Sequence, residues 1–265
     1  MRIAVCLKQV PDSGTVTLDP ETHTLVRGSV GVIINPLDEF PLEIAIRLKE
    51  ASKGQLTAIT MGPPRAEEVL ARAIAMGADD GILLSDAKFA GGDTWATSLV
   101  LASAIKKFGP FDLVLCGKQA IDGDTAQVGP EIAAHLDWPQ ATGVCCVEMP
   151  AGNGEKKLRM TRLFEEGTDE ISLPLPAVIM ALKEAAEPRF GTLDGRIEYY
   201  KKGVRKVPSS ELGIPLDQIG LKGSPTRVVK TAVPTVNRKR QKLSGSPGEQ
   251  AQQLADILVS KKTKD

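Results

Sequence analysis

Residues 111–140 read FDLVLCGKQAIDGDTAQVGPEIAAHLDWPQ, and their pattern decides the fold. The apolar run Leu113-Val114-Leu115-Cys116 has the length and character of a strand buried on both faces. It breaks at Gly117, and a polar turn, Asp122-Gly123-Asp124-Thr125, leads into a helical pattern with Val128, Ile132 and Leu136 at helical spacing. Asp124 or Thr125 is the expected N-cap, because a short side-chain oxygen accepts an orphan amide of the first turn. Strand, glycine turn and capped helix frame the crevice outside the carboxyl ends of strands, where open α/β sheets bind ligands. A helix N-terminus there offers amides and a positive dipole end to a phosphate. Spacing alone leaves two readings open, a phosphate site or an ordinary strand-to-helix connection.

Working outward, the same alternation recurs. Ile3 to Leu7 reads as a first strand, Val32-Ile33-Ile34 as a second core strand halted by Asn35-Pro36, and Leu56 to Met61 as a third. Gly81 to Leu84, Gly143 to Val147 and Ala177 to Leu182 continue the series, with Leu158 to Phe164 as a half-exposed strand. Between them, Leu42, Ile46 and Leu48 outline a helix from Asp38 to near Gly54. Glu67 to Met76 reads as a helix capped by Gly77, and Trp95 to Phe108 as one capped by Asp93 or Thr94. Val16 to Leu18 and Thr24 to Val26 flank DPETH as a hairpin, and Ala151 to Gly154 reads as a turn. Strands alternating with helices predict an α/β fold, a doubly wound, mainly parallel sheet with flanking helices.

After residue 183 the rhythm changes. Residues 1–183 form the expected α/β nucleotide-binding domain, followed by a polar segment, 184–206, broken by Pro188, Gly191 and Gly195. Its basic run Lys201 to Lys206 reads as solvated surface. Residues 207–265 carry scattered Pro, Gly and Ser and one last helix, Gly248 to Ser260, with Ala251, Leu254, Ile257 and Leu258 on one face. Such a C-terminal arm cannot bury itself and is expected to lie on a partner chain.

A formal net charge of +0 removes any global electrostatic case for nucleic acid or an acidic membrane surface. No apolar run approaches a membrane span. Cys6, Cys116, Cys145 and Cys146 show no CxxC spacing and sit in apolar runs, so buried free thiols and a cytoplasmic location are expected. His23 in the hairpin and His135 on a helix have no cluster of ligands for a metal. Asp122 and Asp124 are explained as turn and cap residues before they are read as a metal pair. GxSxG, GxGxxG after a strand and GxxxxGK[ST] are all absent. No catalytic residue is assigned, and any chemistry is expected to be a cofactor's.

The stretch VLCGKQAIDGDTAQVGPEIAAHLDWPQ, with RIAVCLKQVPD, NPLDEFPLEIAIRLKE, AITMGPP, AMGADDGILLSD and EPRFGTL, resembles the electron-transferring flavoprotein beta (small) subunit. The resemblance implies an obligate heterodimer with an FAD-holding alpha subunit. It also implies a nucleotide site at Cys6, Asn35, Pro36, Leu37, Asp38, Met61 and the turn and helix start Asp122, Gly123, Asp124, Thr125, Ala126, Gln127, Val128, Gly129 and Ile132. Family members serving fatty-acid oxidation carry AMP there, and electron-bifurcating members carry a second FAD. The residues Thr125 to Pro130 and the run GGDTWATS, with Thr94 and Thr97, resemble the bifurcating type. That type implies NADH as transient hydride donor, with electrons passing to the alpha FAD with its partner dehydrogenase and to a low-potential acceptor such as ferredoxin. The alternatives are a beta subunit with structural AMP shuttling electrons from acyl-CoA dehydrogenases, and an adenine-nucleotide-binding regulatory module. Near Arg189, the resemblance places a loop whose leucine, here Leu193, anchors the partner dehydrogenase.

Overall fold

The computed structural model describes residues 1–12, 31–148, 157–227, 229 and 240–262. Residues 1–227 and 228–265 are two units with their own internal packing. The expected hairpin at 16–26, His23 and the turn at 151–154 lie outside the described residues.

Strand β1 (Arg2–Leu7) is buried from Ile3 onward. β2 (Gln9–Pro11) and β3 (Val32–Ile34) pair antiparallel as a ribbon apart from the main sheet. The expected second core strand is therefore no part of the main sheet. Halted by Asn35-Pro36 after three residues, β3 buries Ile34 and exposes Ile33. A 3₁₀ turn, Pro36–Asp38, leads into α1 (Glu39–Ser52). This helix ends at Lys53, whose φ is 49°, and Gly54 meets a different need. A Cβ there would strike the Met1 carbonyl, so Gly54 allows the close approach of the chain start.

The series continues with β4 (Gln55–Met61), α2 (Glu67–Met76), β5 (Asp80–Leu84) and α3 (Thr94–Phe108). Asp93 caps α3, its Oδ1 accepting from the Ala96 amide at 3.1 Å. Then follow β6 (Leu113–Gly117), α4 (Val128–Leu136), β7 (Gln140–Val147), β8 (Lys157–Phe164), β9 (Gly167–Pro174) and β10 (Ala177–Ala181). Helix α5 (Leu193–Lys202), β11 (Arg205–Val207) and the short helices α6 (Ser209–Leu212) and α7 (Gly220–Gly223) complete the first unit.

The main sheet has the order β11-β5-β4-β1-β6-β10-β7-β8-β9. Neighbours run parallel from β11 through β7, whereas β8 and β9 are antiparallel. Successive strand residues point to opposite faces. Ile3, Val5 and Leu115 therefore join Leu42, Ile46 and Leu70 of α1 and α2, while Ala4 and Val114 join Val100, Ile105 and Ile132 of α3 and α4. Burying each large apolar side chain stabilises by about 1.5–3 kcal/mol. Burial on both faces also explains why these strands read as unbroken apolar runs. From β1 the chain builds β4 and β5 on one side, then returns to place β6 on the other. The crevice between the carboxyl ends of β1 and β6 is thus the switch point.

Among the elements that escaped the sequence reading are β9, α5 and β11. In β9, Ile171 and Leu173 pack inward, but Asp169 and Glu170, poor strand formers, mask the alternation. Asp169 is held there by a two-pronged ion pair with Arg162 of β8, at 2.6 and 3.0 Å. Helix α5 is hidden by Gly191 and Gly195, which are close-approach residues: a Cβ on Gly195 would sit 2.7 Å from the Ala75 carbonyl oxygen of α2. Thr192 caps this helix, accepting from the Gly195 amide at 3.0 Å. The run Lys201 to Lys206 is thus the end of α5 and the start of edge strand β11, with Arg205 bonded to Glu211 and Lys206 to Glu67. The expected boundary between 206 and 207 falls inside β11, and Val207, Ser209 and Ile219 beyond it are buried in the first unit.

Among the thiols, Cys6 and Cys116 are buried, Cys145 is half-buried and Cys146 is exposed; all are free. Burial of all four was expected, but β7 lies beside the antiparallel pair and exposes one face there. In the second unit, α8 (Pro247–Lys262) opens on a capping box: the Ser246 amide and hydroxyl both donate to Glu249 Oε2, at 2.7 and 2.9 Å. Leu254, Leu258 and Val259 are exposed on it. No helix among the described residues is long and apolar enough to cross a membrane.

Candidate nucleotide site at the switch point

The loop from Lys118 to Gln127 overhangs the switch point, and residues 121–127 are all exposed. Asp124 and Ala126 hold φ values of 49° and 55°. Non-glycine residues in this region mark a loop whose shape its surroundings impose. Gln119 Nε2 donates to Asp124 Oδ1 at 2.7 Å, and Lys8 Nζ pairs with Asp122 Oδ1 at 2.7 Å. The expected cap is absent: α4 begins one turn later, with Gln127 as N-cap and no side-chain cap bond. The left-handed residues at 124 and 126 delay the helix, and Asp124 turns to Gln119 instead. The first-turn amides of α4 thus have no side-chain acceptor, the condition in which a helix start binds an anion.

Beside this loop stands the start of α3. Thr94 Oγ1 lies 3.0 Å from Glu131 Oε1 and 3.2 Å from Gln127 Oε1, so its one proton serves either in turn. Glu131 Oε2 and His135 Nε2, one helical turn apart, are buried without a hydrogen-bond partner among the described residues. Trp95 packs its ring 4.4 Å from that of His135. Thr97 on α3 and Met61 at the end of β4 are half-buried on the same side.

Beneath the loop lies the turn between β3 and α1. Asn35 is wholly buried; its Nδ2 donates to the Gln119 carbonyl at 2.9 Å, and its Oδ1 accepts from the Ile121 amide at 3.2 Å. Asp38 Oδ2 accepts from the Lys8 amide at 2.7 Å, and the neighbouring Asn35 side chain and Gly117 amide also favour its charged form. Burial still outweighs these donors and pushes the Asp38 carboxyl up to about 7. Cys6 and Cys116 lie buried on the adjoining strands. Their mutual hydrogen bond, and then burial, holds the Cys116 thiol well above its ordinary range.

On the other side of the loop, a cavity of about 710 Å³ opens towards β10, β7 and β8. Leu37 and Ala126 line it, as do residues outside the expected set: Lys118, Gln119, Leu163, Phe164, Met180 and Lys183. Sequence reasoning had one signal for these, the GKQ that follows β6; the others come from strands far along the chain. Of the expected residues, Asp122 to Gln127 gather on the outer loop, Pro36 is exposed next to Asn35, and Val128 is half-buried at the helix start. Asn35, Asp38 and Cys6 lie inside the fold. Gly129 packs so closely that a Cβ would meet Met180 at 2.5 Å, and Ile132 is fully buried in the α3–α4 layer. Among the described residues no group of side chains could hold a metal ion.

Residues 22–212 match the sequence family described as the electron transfer flavoprotein domain. The chain belongs to the electron transfer flavoprotein family. It is 45% identical over 262 residues to the electron transfer flavoprotein subunit beta of Thermoanaerobacterium thermosaccharolyticum, covering 98% of this chain and 99% of the relative. It is 40% identical over 262 residues to subunit CarD of the caffeyl-CoA reductase-Etf complex of Acetobacterium woodii, covering 98% and 97%. Protein FixA of Azotobacter vinelandii is 42% identical over 265 residues, covering 98% and 94%. These matches make the chain a flavoprotein beta-subunit homologue with a role in electron transfer.

In this electron transfer flavoprotein, Phe190 and Leu193 are 91% and 76% exposed, too open to belong to any core. Leu193 opens α5 instead of lying in a loop, and Ile197 and Tyr200 continue its exposed side. Arg189 is held by its own chain. Its guanidinium donates to both oxygens of Glu43, at 2.9 and 3.1 Å, and of Glu50, at 2.6 and 3.1 Å. Burial opposes the Glu43 charge, but Arg189 and Arg47 together hold its carboxyl below the usual range.

Proposed function

We propose that this chain is the beta subunit of a heterodimeric electron transfer flavoprotein, with a dinucleotide, FAD in preference to AMP, held at the switch point. The observation that carries this reading is the α4 start, free of any side-chain cap beneath an exposed polar loop. A phosphate fits such amides, and the unpartnered Glu131 Oε2 and His135 Nε2 nearby leave polar capacity for a ligand. Thr125 and Gln127 are the side chains for phosphate oxygens, while Gly123, with open space around it, admits close backbone approach. Thr94, Thr97 and Met61 bound the crevice on the β4–α3 side, and Leu37 and Ala126 open towards the cavity. A bound flavin would supply the redox chemistry, taking a hydride from NADH and parting its electrons between an alpha-subunit FAD and a low-potential acceptor such as ferredoxin.

The acryloyl-CoA reductase electron transfer subunit gamma of Anaerotignum propionicum, at 44% identity, and the caffeyl-CoA reductase-Etf subunit support a role in electron transfer with a partner enzyme. The exposed Phe190 and Leu193 are the anchor for a partner dehydrogenase, with Arg189 behind them. Helix α8, with Leu254, Leu258 and Val259 exposed, is the part of the C-terminal arm that lies on the alpha subunit.

Releasing nucleotides from the protein purified with its partner tests the cofactor. Two FAD per heterodimer agrees with the proposal; one FAD with one AMP means a structural nucleotide, and no flavin means a regulatory module. Thr125→Val keeps the shape and removes a hydroxyl, so nucleotide affinity should fall by about 1.5–3 kcal/mol. Unchanged retention after dialysis would remove Thr125 from the site.

A further inference from the structure

The turn at 35–38 meets the nucleotide loop from inside. Asn35 has one carbonyl oxygen and two N–H bonds to satisfy. Its oxygen takes the Ile121 amide at 3.2 Å, and one N–H goes to the Gln119 carbonyl at 2.9 Å. Both bonds go to the loop, and the residue is 0% exposed. Asp38 in turn accepts from the Lys8 amide just beyond β1 at 2.7 Å and packs against Gly117 at the end of β6. Gly117 must be glycine here: a Cβ would collide with the Asp38 carboxylate and the Leu37 carbonyl. The main-chain bond from the Asn35 amide to the Lys8 carbonyl, at 2.8 Å, closes the bracket.

The bracket bonds the loop at 119 and 121 and packs on it at 117, and the residues just beyond, 122–127, are all exposed. Two of those hold left-handed φ without being glycine. A loop in such a shape needs something outside itself to enforce it. We propose that Asn35 and Asp38 are positioning residues that never touch the nucleotide: they hold the loop between β6 and α4 in its binding shape before the ligand arrives. The inference rests on the reading of that loop as the nucleotide site. It reassigns two residues expected as contacts to the support of the contacts. Preorganisation of this kind lowers the ordering cost of binding.

The test is Asn35→Asp in the full-length protein, stripped of nucleotide and compared with wild type. The substitution keeps the shape but turns an acceptor towards the Gln119 carbonyl and the Asp38 carboxylate. Hydrogen exchange in the stripped protein should rise tenfold or more at the amides of 117–124 and stay unchanged in β4 and β10. Affinity for AMP or FAD, each titrated separately, should fall at least tenfold. Unaltered loop exchange with weakened binding would mean that Asn35 meets the ligand itself, and the proposal fails. A rise spread over the whole sheet would make the role merely structural and also overturn it. Should Asn35→Asp not fold, Asn35→Ser removes both loop bonds without adding charge and carries the same expectation. If wild type binds neither AMP nor FAD, the nucleotide reading is wrong, while the exchange result still judges the bracket.

Discussion

Two segments of this protein, the loop at 118–127 and the segment at 186–202, are tied by polar groups to α1 or to the turn that leads into it, but in different ways. The first is held from the turn before α1 by a neutral amide and one carboxyl group. The second is held along α1 itself by an ion cluster in which Arg189 bridges Glu43 and Glu50, and Arg47 shares Glu43. The loop consists of polar and small residues apart from Ile121, whereas the second segment also packs Ala186 and Tyr199 against the core and its glycines against α2. The difference teaches where each is vulnerable. Backbone-directed hydrogen bonds fix a loop's conformation atom by atom. Ion pairs fix a segment's place and leave its outer face, here Phe190 and Leu193, open.

The largest effect is expected at the ion cluster. Arg189→Ala strips one partner from Glu43, a carboxylate only 2% exposed, and should cost about 3 kcal/mol in denaturant unfolding. A loss under about 1 kcal/mol would show that Arg47 alone satisfies Glu43. Next comes the loop's own hinge. Gly117→Ala drives a methyl group into Asp38 and Leu37 and should cost about 1–3 kcal/mol, with weaker nucleotide binding. Gly123→Ala, where a Cβ meets nothing within 4 Å, is the control and should leave stability within about 0.5 kcal/mol.

The bracket's carboxyl group adds a pH dependence that the ion cluster does not share. Burial pushes the Asp38 carboxyl up to about 7 in the fold, from the ordinary 3.8 of an unfolded chain. A raised carboxyl pKa favours the folded state at low pH, and that contribution is lost as the pH climbs from about 4 through about 7. The groups that face it are Lys8, Cys116 and, through Lys8, Asp122. Melting temperature should therefore fall between pH 5 and pH 8, and Asp38→Asn should flatten that slope. A wild-type slope surviving in Asp38→Asn would assign it to other groups. The smallest effect on stability belongs to Leu193→Ala, since the side chain is 76% exposed. Stability and nucleotide content should hold while electron transfer to the dehydrogenase slows. A drop in stability with unaltered transfer would end the docking idea.

The sheet was legible because its strands are buried on both faces and announce themselves as apolar runs. The helices that flank it were legible by period, down to Gly77 ending α2 and Asp93 capping α3. What escaped had a different physics. β9 carries Asp169 and Glu170, α5 carries glycines that serve contact with α2, and β11 is three residues of an edge. The N-cap of α4 was misplaced because Asp124 has a better partner in Gln119. At the site, the loop's residues were named from the chain, but their division into an outer face and an inner support was not.

By itself, the sequence determined the alternating α/β architecture and the position of the loop after β6, since both follow from local period and turn chemistry. It also carried the family, through long stretches of matching residues. Only the tertiary structure decided that Asn35 and Asp38 face inward, that Arg189 serves α1, and that Lys118 and Lys183 share a cavity with Leu163 and Phe164. Those facts depend on residues distant in the chain meeting in space. A side chain's polarity says that it needs partners; which partners it finds is set by the packing of the sheet and helices around it.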